Sequence, residues 1–395
     1  MTGISPSPAP TRPRTVIVVG ANGYLGSAIC NTFVRAHHPF RVYGLVRRAS
    51  AARALAAAEV IPIVGSLSDD RDTLPDTILS RHSRVWDAIV TCTEPARVAD
   101  DPTSTERHWD DVLHLVRTLA SASAAEGVRP LVLWSSGCKD YGMTGLHGVM
   151  PELAPHTEDS PIGDVHPLIR GRTEAALRAL EEAGKPGGAD FDVAVVRATP
   201  VFGYSGSYYG AGLDYAAAFR AAVVDEKPVL KFTAHKGTII HGVHVDDCAE
   251  GYVALATTAL FGSSEGHGRA AVAGRVFNIS GRRYETLEEV GRALAEEYGF
   301  SGGTKFGVAP EELPEAVAGR NVDLLFGWSQ WVASDKIRRV TGWTDRRPLF
   351  SENLYVYRLA YDAAVEAGSD GVGKVRKRMG GNWSEEYKGS ERGGM

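Results

Sequence analysis

The stretch TVIVVGANGYLG, Thr15 to Gly26, decides how this chain is read. An unbroken β-branched run ends at Gly20, two more glycines follow at 23 and 26, and SAICNTFVRAHH then shows helical spacing. A short run of Val and Ile bounded by glycine reads as a strand buried on both faces. Gly20 permits a tight turn, Gly23 lets an anion approach the backbone, and Gly26 lets the helix pack close to the strand. The first N–H groups of that helix, at the positive end of its dipole, then face the anion. A strand before and a helix after are the context that a dinucleotide-binding turn requires. Gly20, Asn22, Gly23, Tyr24, Leu25 and Gly26 are therefore the candidate cofactor contacts here.

The rest of the chain repeats that rhythm. FRVYGLVRR, VIPIVGSL, WDAIVTCT, PLVLWSSG and FDVAVVRATPVFG read as further strands, separated by helical segments such as RHWDDVLHLVRTLASASAAEG and TEAALRALEEAG. Buried strands alternating with helices predict an α/β fold: a Rossmann-type, doubly wound parallel sheet with right-handed crossovers over residues 15–203. After Gly203 the pattern changes. GYSGSYYGAGLDY reads as a loop, TIIHGVHVDDCAEGYVALATTAL as a strand and a helix capped by Asp246 or Asp247, and RVFNISG as another strand. In TLEEVGRALAEEYG, Thr286 with Glu289 predicts a capping box. Residues 204–367 are assigned mainly to a smaller C-terminal α/β substrate lobe, with a return to the first domain at about 238–260. Residues 1–14 are read as a disordered lead-in, and 368–395, Gly-rich and charged, as a flexible tail.

Composition narrows the classes. A net charge of −5 over 395 residues gives no reason to expect nucleic acid, and no apolar run approaches the ~20 residues of a membrane span. MTGISPSPAPTRPR lacks the apolar core of a secretory signal, so a cytoplasmic location is the expectation. Cys30, Cys92, Cys138 and Cys248 form no CxxC pair and read as reduced, buried thiols. The histidines at 147, 156, 235, 241 and 244 are scattered, and no metal is expected. At the end of the second strand, where an acidic residue would accept from a free ribose 2′-hydroxyl, the chain has Arg47 and Arg48. Arginine suits a 2′-phosphate, so NADP(H) is favoured over NAD(H).

GANGYLG, VGSLSD (64–69), PLVLWSSG, VVRATPVFG, VHVDDCAEGYVAL, VFNISG and ASDKIRRVTGW occur in an order that resembles the extended short-chain dehydrogenase/reductase family. That family includes nucleotide-sugar epimerases and dihydroflavonol-type reductases. The resemblance covers residues 15 to about 345. It implies a Rossmann domain with a small substrate lobe, and a homodimer joined through two helices per subunit. It also implies that Ser66 and Leu67, Thr91 and Cys92, and Pro200 and Val201 lie along the cofactor. RATPVFG matches the reductases better than the sugar-nucleotide enzymes, so a non-nucleotide small molecule is the expected substrate.

The family uses a Ser or Thr with a Tyr-x-x-x-Lys pair for general acid–base catalysis beside the hydride donor. Ser136 falls at the Ser position, and the Tyr and Lys are missing. One alignment of HPLIRGRTEAAL puts Arg170 at Tyr and Glu174 at Lys. A shift of four puts His166 at Tyr and Arg170 at Lys. His166, Tyr141, or a water held by Arg170 and Glu174 remain as candidates for the proton. Cys138 and the loop tyrosines Tyr204, Tyr208 and Tyr209 are assigned to the substrate side. The chain reads as an NADP(H)-dependent oxidoreductase acting on a carbonyl or alcohol. The rival readings are a non-redox isomerase, lyase or cyclase on the same scaffold, and an NADP(H)-sensing regulator without turnover.

Overall fold

Val16, Ile17, Val18 and Val19 are all buried, as a strand covered on both faces must be. A computed structural model describes residues 12–95, 102–163, 165, 167–185, 187–262, 268–317 and 322–379. In it β1 (Arg14–Val19) lies between β2 (Phe40–Val46) and β4 (Ala88–Thr91), parallel to both, with Val16 opposite Val42 on one side and Ala88 on the other. β3 (Ile61–Val64) flanks β2; β5 (Leu131–Gly137), β6 (Asp192–Ala198) and a seventh strand, Arg275–Ile279, follow β4. The sheet order is seventh–β6–β5–β4–β1–β2–β3, parallel throughout. The order reverses between β1 and β4, and ligands of open α/β sheets lie in the crevice outside the carboxyl ends at that point.

Alternation along β1 builds the two halves of the core. Val16 and Val18 face a layer containing α1 (Tyr24–Val34) and the helix Val245–Phe261. Ile17 and Val19 face the layer of α4 (Pro102–Ala125) and α5 (Pro167–Gly184). α2 (Ala49–Ala57) and α3 (Leu74–Arg81) complete the crossovers.

Several sequence expectations need correction. RVFNISG is not part of the small lobe: it is the seventh strand of the main sheet, its Phe277 and Ile279 filling the first core layer. FDVAVVRATPVFG is not one strand. It breaks at Thr199–Pro200, and Val201–Phe202 pairs instead with Val243–His244. The helix at 245 is capped by neither aspartate. His244 Nδ1 accepts from the Asp246 N–H, and Asp247 is drawn away to Arg347. The box of Thr286 and Glu289 is present as read. Arg12 and Arg14 both pair with buried Asp87, so the end of the lead-in is held, and residues 1–11 lie outside the described ones.

The tail is also held in part. Asp370–Met379 is a helix whose Val372 and Val375 are buried in the aromatic core of the small lobe, among Tyr209, Tyr215, Phe232, Phe326 and Tyr361. Its Arg376 grips Asp214 with two hydrogen bonds, of 2.9 and 2.7 Å. Two valines at helical spacing and one well-placed guanidinium suffice to seat a segment that overall composition marks as loose.

His241 illustrates how the lobe is tied to the sheet. Its Nε2 donates to the Gly281 carbonyl and its Nδ1 accepts from the Val332 N–H. Both ring nitrogens are used by the neutral form, and burial pushes the pKa down to about 4. The unfolded chain takes up this proton near pH 6.5 and the folded chain does not. Stability is therefore retained above 6.5 and lost as pH falls toward 4, by on the order of 3 kcal/mol. Urea unfolding at pH 7 and pH 4.5 tests this. His241→Asn is expected to be less stable at pH 7 and to lose less on acidification.

Candidate active site

The phosphate turn has the geometry its glycines imply. Gly20 sits at φ +88°, and a Cβ there would lie 2.5 Å from the Cys92 carbonyl oxygen. A Cβ on Gly26 would collide with the Gly20 carbonyl oxygen. Gly23 is extended, donates to Gly20 O at 2.9 Å, and starts α1 without a side-chain cap. The leading N–H groups of α1 thus have no intrahelical partner, and Gly23 has no side chain to cap them. Asn22 is exposed, Leu25 is half-buried, and the Tyr24 hydroxyl donates to the Gly203 carbonyl at 2.5 Å. That bond joins the turn to the loop where the small lobe begins.

The other expected cofactor residues line the same edge with varied freedom. Arg47 and Arg48 are exposed at the end of β2, and Arg48 pairs at 2.6 Å with Asp370 of the C-terminal helix. Ser66 is committed locally: its N–H donates to Asp70 and its hydroxyl to Asp69. Leu67 packs beside the second core layer. Thr91 is buried and its hydroxyl accepts from Ser135 N. Burial pushes the Cys92 thiol up to about 12. Pro200 and Val201 stand half-buried at the break after β6.

At the carboxyl end of β5 the structure assembles a cluster that sequence reading missed. Ser136, 9% exposed, donates to Asp140 at 2.5 Å. Asp140 has no exposed surface and also accepts from Arg172 (3.1 Å), Arg197 (3.2 Å) and Thr173 (2.9 Å). Arg197 continues to the Tyr141 hydroxyl, which donates to Asn278 of the seventh strand. Arg172 also faces Glu94, beyond β4, at 3.8 Å. Beside Asp140 in the turn Cys138–Tyr141, the half-buried Lys139 holds its Nζ 4.1 Å from the centre of the Trp328 ring. Burial, aided by Arg172, lowers the Lys139 pKa to about 7. The available sequence signal was CKDYG: two charges placed directly after a core strand, in a segment one residue longer than the family pattern.

The predicted catalytic and substrate residues fare unevenly. Ser136 lies at the carboxyl end of β5, with its proton committed to Asp140. Tyr141 is sealed between Arg197 and Asn278, and burial raises its pKa, so it is a packed tyrosine without an outward hydroxyl. Arg170 and Glu174 are exposed on α5, and no ion pair joins them among the described residues. Their neighbours Arg172 and Thr173 are the ones that turn to Asp140, about 100° per residue around the helix. His166 lies outside the described residues. Cys138 is fully buried, its thiol donating to the Arg197 carbonyl, and cannot meet a substrate. Tyr209 is likewise core, packed on Phe202 and Phe350. Tyr204 and Tyr208 are exposed, with Tyr204 bonded to Asp246. Among the described residues no three His, Cys, Asp or Glu side chains gather as a metal needs, and no helix is long and apolar enough to cross a membrane.

The model of the NAD dependent epimerase/dehydratase family matches residues 16–280. No curated protein matches the sequence. Among solved structures, UDP-glucose 4-epimerase of Thermotoga maritima, crystallised with UDP-glucose, is 15% identical, covers 89% of this chain and 99% of its own, and superposes with a TM-score of 0.62. The dTDP-glucose 4,6-dehydratase of Bacillus anthracis, in complex with NAD, is 15% identical over 89% of this chain and 98% of its own, TM-score 0.61. RMD of Pseudomonas aeruginosa, complexed with NADPH, is 14% identical over 89% and 99%, TM-score 0.57. At such identities the likeness is one of fold.

Two substitutions probe this edge. Asp140→Ala strands Arg197, itself 3% exposed, and is expected to cost about 3–5 kcal/mol. Asp110→Ala, which breaks the exposed pair with Arg178, is expected to cost under about 1 kcal/mol. Thermal unfolding of the two variants side by side measures the difference.

Proposed function

The chain belongs to the NAD dependent epimerase/dehydratase family, and on that premise we propose that it is an NADP(H)-dependent oxidoreductase acting on a carbonyl or alcohol of a non-nucleotide small molecule. The observation that carries the reading is the phosphate turn, where Gly20 and Gly26 have no room for a Cβ and the start of α1 is left uncapped. That cradle fits a pyrophosphate. Arg47 and Arg48 favour the 2′-phosphate form of the cofactor. Asp370, which pairs with Arg48, comes from the far end of the chain, and both partners are well exposed. A phosphate can displace so weakly held a carboxylate.

When bound, the nicotinamide supplies or accepts the hydride. The protein's part is to place the substrate oxygen and handle its proton. Ser136 gives its own proton to Asp140, so its oxygen presents lone pairs and accepts from an alcohol. Arg172, held by Asp140, adds a fixed positive charge near the end of β5, suited to an oxygen that gains negative charge. A small-molecule substrate, a homodimer and a cytoplasmic setting complete the reading. The sealed Tyr141 and the missing Tyr-Lys pair favour, as a second reading, a non-redox isomerase, lyase or cyclase.

Titration with NADPH and NADH, followed by energy transfer from tryptophan, tests the assignment. NADPH is expected to bind more tightly than NADH. Arg47→Ala is expected to weaken NADPH by about tenfold or more and leave NADH unchanged. Equal loss of both overturns the 2′-phosphate role, and binding of neither overturns the redox reading.

A further inference from the structure

We propose that Lys139 is the acid–base residue of this site, giving a proton to the substrate's carbonyl oxygen and taking it back from the alcohol. The proposal rests on the oxidoreductase reading above and names the group that replaces the missing tyrosine.

Lys139 follows β5 directly, on the carboxyl edge of the sheet, two strands or about 10 Å from the phosphate turn of β1. Trp328, whose ring its Nζ faces, belongs to the C-terminal part of the chain, so the amine stands between the two lobes. The turn beneath it is rigid. Gln330 donates both hydrogens of its amide to the Cys138 and Gly142 carbonyls, at 2.7 and 2.6 Å, and Asp140 is fixed by four donors. A side chain on such a base is preorganised, as proton transfer at a defined atom requires.

Among the described residues Arg172 on α5 is the charged group that acts on the amine, with the face of Trp328 beside it. Arg172, held by Asp140, places a like charge near the amine. Burial and that charge bring the ammonium to about 7, where both protonation states are populated at neutral pH. A lysine shifts in this way more readily than an arginine, which stays charged throughout.

The step balances simply. The carbonyl carbon takes a hydride, with its electron pair, from the reduced dinucleotide. The π pair of the carbonyl takes the proton from the Lys139 ammonium. One C–H and one O–H bond form, one N–H bond of Lys139 and the donor C–H bond of the dinucleotide break, and the neutral amine is reprotonated by solvent. Ser136 accepts from the new hydroxyl. Oxidation of the alcohol runs the same path backwards.

The test uses the full-length protein, with benzaldehyde and cyanoborohydride trapping neutral amines across pH 5–10 and peptide mass mapping to locate them. Lys139 is expected to be alkylated with a midpoint near pH 7, and at pH 7 more than tenfold faster than surface Lys185. In parallel, NADPH is titrated against the wild type and Lys139→Gln, whose affinities are expected to agree within twofold. Lys139 that reacts only above about pH 9, with NADPH binding intact, overturns this proposal alone. A Lys139→Gln variant that folds but loses NADPH tenfold or more also overturns it, because the lysine then holds cofactor. Failure of the wild type to bind NADPH overturns the underlying reading and this proposal with it.

Discussion

Asp140 has no surface exposed to water, yet its carboxylate gathers two guanidinium groups and two hydroxyls from three separate elements. Ser136 comes from β5, Arg197 from β6, Arg172 and Thr173 from α5, and Asp140 itself from the turn between. Removing charges from water is expensive unless each finds partners of good geometry. Here the partners also fix the spacing of two adjacent strands and the helix that covers them. Through Arg197, Tyr141 and Asn278 the same chain of bonds reaches the seventh strand, and Asn278 donates onward to the Ala333 carbonyl. The carboxyl edge of the sheet is thus braced from β5 to the C-terminal lobe by one buried carboxylate.

That brace sets which side of α5 faces the sheet. Around Asp140 the fold needs Arg172 and Thr173 turned inward, which leaves Arg170 and Glu174 at the surface. The tyrosine that does lie nearby, Tyr141, serves as a link in the brace. Lys139, on the same turn as Asp140, lays its amine over the Trp328 ring. The lobes are further joined where Tyr24 of the phosphate turn bonds to Gly203, and where Asp370 of the C-terminal helix reaches Arg48.

Much of the fold was legible because its signals are local. TVIVVG can be little but a buried strand, GANGYLG can turn tightly only because its glycines lack Cβ atoms, and Thr286 with Glu289 forms its capping box within four residues. The family resemblance rests on the order of such pieces, and the match over residues 16–280 agrees with it. Less local features were read wrongly. RVFNISG looks the same whether it closes a small lobe or extends the main sheet, since burial alone does not say beside which strand. The C-terminal helix is polar by composition, and only the presence of Asp214 and an aromatic pocket across the lobe makes its two valines and Arg376 decisive.

What the sequence determined by itself was the parallel sheet, the phosphate turn and the absence of a Tyr-x-x-x-Lys pair, because each is set by neighbours within a few residues. What only the tertiary structure decided was which polar side chains meet. Cys138, Tyr141 and Tyr209 look like site residues in a linear reading and are core. Asp140, Arg172 and Lys139, which the linear reading passes over, come together beyond β5. Their roles depend on Arg197, 57 residues beyond Asp140 in the chain, and on Trp328, far beyond Lys139. A buried charge is defined by partners that distance in sequence conceals and folding brings into contact.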